Sequence, residues 1–523
     1  MTREPVSSTP HANDAPAPPP APAQPLPADP YTIYSSTQKL LIILCVSIAA
    51  TFSAFSSNIY FPAIPSMAKD LDVSTELITL TVTSYMIFQG IAPSFWAVLA
   101  DAKGRRITYI GCFLVLIGSC IGLANVQHYY QLVILRCLQS AGSASTIAVG
   151  AGVTGDITTR EERGGLMGIF QAFLLMPVAV GPVIGGALTS SLGWRSIFWF
   201  LTIYAGVYFV VLLLFLPETL RKIVGNGSYR PQGLAMSVWW YLRHRKTMDT
   251  IPKMTEPNVK FSVYGLLNPL KIVFDPQVAA ILFFLAIFYS AWQMVVASMS
   301  TLFVRQYGLS ELHVGLTFFG NGFGCIIGTL TTGRWLDIEY KRAKRKFSAL
   351  SEEDFPLERV RLRSTWLWSA LEIASVLVFG WTLDKKVHIS VPIICTFILG
   401  WASTSIQGIV TTYIVDLYHS ESASAGAALN FSRCLMGAGA TAIVLPIINA
   451  IGTGWTFSMF SGILVLSMSL LFVQMTIVPR KRQLKRQNAL NVATVVGNSI
   501  QASNDLGYND YEMKSTKPGK EEV

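Results

Sequence analysis

Twelve stretches of this chain are too long, too apolar and too poor in charge to sit in water. They run over roughly 38–60, 77–98, 107–125, 131–153, 166–190, 196–216, 277–302, 312–335, 364–383, 388–414, 423–450 and 454–477. An α-helix needs about 20 apolar residues to cross the hydrocarbon layer, and each stretch supplies them. A transmembrane barrel would instead show alternating segments of about ten residues. The expected class is all-α integral membrane with twelve transmembrane helices. Only 13% of the 523 residues are charged, against about 25% in soluble domains.

Lys and Arg fall unevenly around these spans. With the N-terminus inside, the outer loops hold only Lys69, Arg195, Arg305, Lys385 and Lys386. Arg136, Arg334 and Arg433 lie within spans or at their ends, and the other cations fall in the tails and even-numbered loops. Positive charge is retained on the cytoplasmic side, so both termini are expected there. The net charge of +10 then faces an anionic leaflet, and no nucleic-acid partner is expected. All seven cysteines fall in spans without CxxC or metal-ligand spacing. They read as small apolar packers, and neither metal nor cofactor is expected.

Residues 1–37 are rich in Pro and Ala and lack the apolar core of a signal peptide. They and residues 479–523 read as disordered cytoplasmic tails. A polar cytoplasmic loop, 217–276, separates two six-helix bundles at 38–216 and 277–478 and reads as a flexible linker. The bundles echo one another. "AVLADAKGRR" follows span 2 and "GRWLDIEYKR" follows span 8, matching Asp101 to Asp337 and Arg105–Arg106 to Lys341–Arg342. Asp156 and Asp416 end spans 4 and 10. Two pseudo-symmetric halves around a central site is a transporter architecture.

In "LADAKGRR", Asp101 can accept hydrogen bonds from a helix N-terminus and pair with Arg105 or Arg106, while Gly104 permits a tight turn. Such a cluster can latch the halves on the cytoplasmic side, with Asp337 and Arg342 as its second-half copy. "PVAVGPVIGG" brings Gly181, Pro182, Gly185 and Gly186 into span 5. Small residues let helices approach closely, and Pro182 bends its helix.

"LADAKGRR" resembles the signature between spans 2 and 3 of the major facilitator superfamily, with Ala97 where that family prefers Gly. "LVILRCLQSAGSA" resembles its span-4 pattern through Arg136 and Gln139, and "PVAVGPVIGG" resembles its antiporter signature. "FSSNIYFPAIPSMAKDL", "PETLRKIVGNGS" and "NFSRCL" are similar to fungal twelve-span drug:proton antiporters of the quinidine-resistance-like branch, which includes organic-acid exporters such as those for citrate. The resemblance covers about residues 38–480. It implies the major facilitator fold, spans 1, 2, 4, 5, 7, 8, 10 and 11 lining a cavity, proton coupling and the plasma membrane. The expected partners are a small-molecule substrate, protons and the bilayer, with the protein a monomer.

On that fold Arg136 falls in the outer half of span 4 and Arg433 near mid-depth of span 11. An arginine at mid-membrane costs about 2.5–3.5 kcal/mol on insertion scales, so each should face something that needs it. Asn58, Tyr85, Gln89, Gln139, Gln171, Gln293 and Asn430 are the accompanying candidates for substrate binding. The lining spans carry no Asp or Glu in their interiors. A planar guanidinium suits carboxylates, so the cavity reads as a site for an acidic substrate, with amphiphilic drugs the competing class. Asp156 and Glu372 are the candidate proton carriers. A sensor built on a transporter fold is the alternative. No paired catalytic carboxylates, histidine cluster or nucleotide loop points to an enzyme or a primary pump.

Overall fold

The helices begin and end where the sequence supplies caps. The Ser35 hydroxyl accepts the N–H of Gln38, whose side chain accepts the N–H of Ser35 in return, closing a capping box on the first helix. Ser74 caps the second, which stops at Gly104, where φ is +113°. The structure is a computed structural model. It describes residues 31–246, 251–252, 264–346, 356–418 and 422–477. The tails expected at 1–37 and 479–523 lie mostly outside these residues.

Among the described residues, twelve helices are long and apolar enough to span a membrane. We number them α1 (Ser36–Asn58), α2 (Thr75–Lys103), α3 (Arg105–Ala124), α4 (Tyr129–Ile157), α5 (Arg160–Leu192), α6 (Arg195–Phe215), α7 (Ala279–Tyr307), α8 (Glu311–Lys346), α9 (Thr365–Asp384), α10 (Ser390–Leu417), α11 (Ser422–Ile451) and α12 (Thr453–Ile477). A 3-10 turn, Phe61–Ala63, and a short helix, Ile64–Asp70, prolong α1. Two faces follow from this order. α1 starts and α12 ends at one, called here the basic face; Phe61–Asp70 lies at the other, the far face.

α8 outlasts its expected span. It has 36 residues, because "DIEYKRAKRK" is built of good helix formers. Asp337 and Arg342 therefore ride on a helical extension rather than in a loop. The linker expected at 217–276 is likewise packed against the first half through much of its described length: Glu218, Leu220 and Val224 are buried, and Arg106 donates to the Leu234 carbonyl at 3.0 Å.

Within the first half α1 packs on α4 and α5, α2 on α4, and α3 on α4 and α6; within the second, α8 and α9 pack on α10, and α7 on α11. Two pairs of spanning helices join the halves, α5 with α8 and α2 with α11, and a short helix before α7, Tyr264–Val273, also packs on α2. The α5–α8 pair meets through glycine. A Cβ on Gly186 of α5 would strike the Glu311 carbonyl, and one on Gly315 of α8 the Pro182 carbonyl at 2.5 Å, while Gly185 faces the Ile59 carbonyl at the end of α1. Glycine is what lets these backbones touch. Nearer the basic face the pair parts. Side chains added at Gly165, Gly168 or Gly333 would meet nothing within 4 Å, and Gln171 is exposed.

Polar bonds between the halves follow the same gradient. Ser66 donates to Glu311 at 2.6 Å, Asn449 to Glu76 at 2.5 Å, and Thr83 pairs with Thr441 at 3.0 Å. The Phe61 and Phe318 rings stack at 6.0 Å. Among the described residues, every ion pair at the basic face stays within one half. Along the α5–α8 seam the molecule is closed at the far face and parted toward the basic face.

Candidate functional site

Arg433 lies near the middle of α11, half-buried. Asn430, one turn earlier, accepts from its Nη2 at 3.0 Å and its Nε at 3.3 Å. Asn430 in turn donates to the Gln89 carbonyl on α2 at 2.9 Å, across the junction of the halves. The guanidinium lies over the Tyr289 ring of α7, 5.1 Å from its centroid. Among the described residues, no carboxylate pairs with Arg433. It is a cation held in orientation by neutral groups, with part of its surface open.

Arg136 sits in α4 with none of its surface exposed. Tyr60 and Tyr85 flank it, each ring centroid 4.3 Å from its guanidinium carbon. Its Nη1 donates to the Ser56 carbonyl at 3.0 Å and to Gln139 Oε1 at 2.6 Å, while Nε and Nη2 have no protein partner. The walls are fixed in turn. Tyr60 pairs with Thr81 at 2.6 Å, and Tyr85 with Ser143 at 2.9 Å. The two arginine sites meet near Gly437, where an added Cβ would touch Met86 at 2.6 Å and Tyr289 at 3.1 Å.

The structure thus groups Arg433 with Asn430 and Gln89, and Arg136 with Gln139 and Tyr85. It leaves three candidates apart. Asn58 turns back to the Ala54 carbonyl at 2.8 Å, Gln171 is exposed on α5, and Gln293 is buried on α7; no hydrogen bond ties them to either arginine. Tyr60 and Tyr289 escaped the sequence reading, since tyrosines in an apolar helix announce no partner.

At the basic face Arg105 bridges Asp101 at 2.7 Å and Asp156 at 3.0 Å. Arg106 does not pair with Asp101. It donates to the Leu212, Leu213, Leu216 and Leu234 carbonyls, closing the end of α6. In the second half Asp416 pairs with Arg361 at 2.8 Å, and Arg361 lies over the Tyr340 ring. Arg361, just before α9, therefore matches Arg105, while Asp337 and Arg342 stay exposed. The recurrence of Asp156 and Asp416 was the available signal for Arg361.

Glu218 was not foreseen either. Its carboxylate accepts the backbone N–H of Arg105, Arg106, Thr219 and Leu220 at 2.9–3.1 Å. Burial pushes its carboxyl above the ordinary value, and these four amides pull it back. A Cβ at Gly104 would collide with that carboxylate. Of the two proton-carrier candidates, Asp156 is ion-paired. Glu372 on α9 is fully buried, and neither carboxyl oxygen has a protein partner.

Twelve spanning helices in two halves, a glycine-built closure at one face and an oriented cation between the halves define a membrane transporter. A family profile described as Major Facilitator Superfamily matches residues 46–441, and the chain belongs to that family. It is 42% identical over 457 residues to "Citrate exporter 1" of Aspergillus niger, covering 85% of this chain and 87% of that one. It is 36% identical over 455 residues to "MFS antiporter QDR2" of Candida albicans, covering 85% and 90%. Among solved structures, the human organic anion transporter MFSD10 (TETRAN) aligns with a TM-score of 0.50 at 14% identity, covering 84% of this chain and all of that one. That likeness concerns the fold.

Proposed function

We propose that the protein exports small organic acids across the plasma membrane by alternating access, with the basic face cytoplasmic and both termini inside. In this orientation the structure is open inward, ready to load. The observation that carries the reading is Arg433, a mid-membrane cation oriented by Asn430 and Tyr289 and lacking an anion of its own. A bound carboxylate supplies that anion with two parallel N–H···O bonds. Arg136 adds positive potential from within the first half. A relative named as a citrate exporter, at 42% identity, agrees with a tricarboxylate as the substrate.

Export is driven by the proton gradient, with the Ser66–Glu311 and Asn449–Glu76 contacts breaking as the halves rock. A second reading, efflux of amphiphilic drugs, draws on relatives named as multidrug antiporters and on the Tyr289 ring beside Arg433. Cells lacking their main exporters, loaded with labelled citrate or labelled quinidine, separate the two. Citrate efflux that stops when the proton gradient is collapsed is the expected result. Efflux of quinidine alone would overturn the organic-acid reading.

A further inference from the structure

The buried face of α9 changes character halfway along the helix. Toward the basic face it presents Thr365, Ser369 and Glu372, spaced i, i+4, i+7 and so stacked on one side; toward the far face it presents Val376, Phe379 and Leu383. Thr365, Ser369 and Glu372 are fully buried. Elsewhere on this helix buried hydroxyls satisfy themselves locally: Ser375 donates to the Leu371 carbonyl at 2.7 Å, and Thr382 to Phe379 at 2.9 Å. The hydroxyls of Thr365, Ser369 and the preceding Ser364 make no such bond, and both oxygens of Glu372 are likewise unpartnered. Three residues on one face, with Ser364 at its entrance, thus carry polar atoms that the protein leaves unsatisfied.

We propose that Glu372 is a proton-binding site, reached from the basic face along this stripe. Hydroxyls both donate and accept. Successive members of the stripe lie roughly 4.5–6 Å apart along the axis at 1.5 Å per residue, a gap that one bridging water spans. The step is a proton transfer alone: the carboxylate takes H⁺ and becomes the neutral acid, then releases it when its surroundings change.

Among the described residues, the neighbours offer no fixed counter-ion. α10, the principal partner of α9, carries Cys395, Tyr413 and Asp416; Asp416 is bound to Arg361, and Tyr413 accepts from Gln474 at 2.9 Å. α7 carries Tyr289, under Arg433, and Arg305 and Tyr307 at its far-face end. α12, which meets α9 through Trp366–Met475 and Trp381–Ser458, has no titratable side chain. Before α9, Arg361 is engaged by Asp416 and Tyr340. An unpaired carboxylate ion in such surroundings is costly, so the group holds its proton until the stripe is wetted or the helices shift. A carboxyl that makes no protein bond adds nothing to packing that leucine would not supply better.

This inference deepens the exporter reading, because it places the coupled proton in the second half, away from the arginines. The test reads the carboxyl directly and without substrate. Purified protein in lipid nanodiscs is examined by infrared difference spectroscopy as the pH is raised from about 5 to about 9. Wild type is expected to lose a protonated-carboxyl C=O band that Glu372→Gln lacks, the two proteins melting at the same temperature. Ser369→Ala, which keeps the acid and breaks the stripe, is expected to slow that loss several-fold without removing the band. No pH-sensitive band that Glu372→Gln abolishes, or a band lost at an unchanged rate in Ser369→Ala, would overturn the proposal. Failure of citrate efflux would change the substrate and leave this spectrum as it is.

Discussion

Arg136 is walled in by Tyr60 and Tyr85 with none of its surface exposed, whereas Arg433 is half-open beside a single tyrosine. Both carry a full charge in the membrane interior, and both borrow an amide oxygen three residues away, Gln139 for Arg136 and Asn430 for Arg433. The difference lies in what remains free. Arg136 keeps two unpartnered nitrogens behind aromatic walls, so the proposed function gives it a role through its field and through the order it imposes on α1, α2 and α4. Arg433 keeps an accessible edge at the junction of the halves, so it can be touched by cargo. On the proposed function, burial more than charge separates the positioning cation from the binding one.

The comparison breaks most readily at Arg433. Arg433→Gln should lower citrate export about 10- to 150-fold, the loss of a charge-assisted hydrogen bond worth about 1.5–3 kcal/mol, with the melting temperature unchanged. Arg136→Gln should differ in kind. Two cation–π contacts and two hydrogen bonds disappear from a packed site, so the melting temperature should fall together with export, by about 1–3 kcal/mol of stability. If Arg136→Gln lost export while melting like wild type, Arg136 would join Arg433 as a direct ligand.

The closure above both arginines gives a smaller effect. Gly186→Val places methyl groups against the Glu311 carbonyl, an overpacking worth about 1–3 kcal/mol. It should bias the molecule away from the inward-open state. Labelling of a Ser66→Cys reporter by an impermeant maleimide should rise several-fold, and export should fall.

The smallest effect is a pH dependence at Glu218. A carboxyl raised in the folded protein holds its proton more tightly than in the unfolded chain. Its stabilisation is therefore full below the ordinary value of about 4.3 and is lost as pH rises to the raised value. Glu218→Gln, which does not titrate, should melt below wild type at neutral pH. The gap should widen on acidification. A gap that narrows would mean that the four backbone amides outweigh burial in setting that proton.

The helices were legible because a spanning segment must be apolar for its whole length, which is a strong and local signal. The halves were legible because "LADAKGRR" and "GRWLDIEYKR" recur. The counterpart of Arg105 was not: Arg361 lies past an insertion, so matching by spacing selected Lys341–Arg342 instead. Arg136 and Arg433 could be singled out by insertion cost alone. Of their surroundings Tyr85, Gln89, Gln139 and Asn430 were among the candidates, but Tyr60 and Tyr289 were not, since single-sequence spacing carries nothing about contacts between distant parts of the chain. Glu218 stayed hidden for the same reason. Its partners Arg105 and Arg106 stand more than a hundred residues earlier, and "PETLR" reads as an ordinary helix exit.

The claim at the centre is that an oriented, unpaired guanidinium on α11 binds the acidic cargo. Equilibrium binding of citrate to purified wild type and to Arg433→Gln at matched pH and ionic strength tests it most directly. The account predicts a Kd at least tenfold weaker in the variant, with Glu372→Gln binding like wild type at acidic pH. Equal affinity in wild type and Arg433→Gln would contradict it.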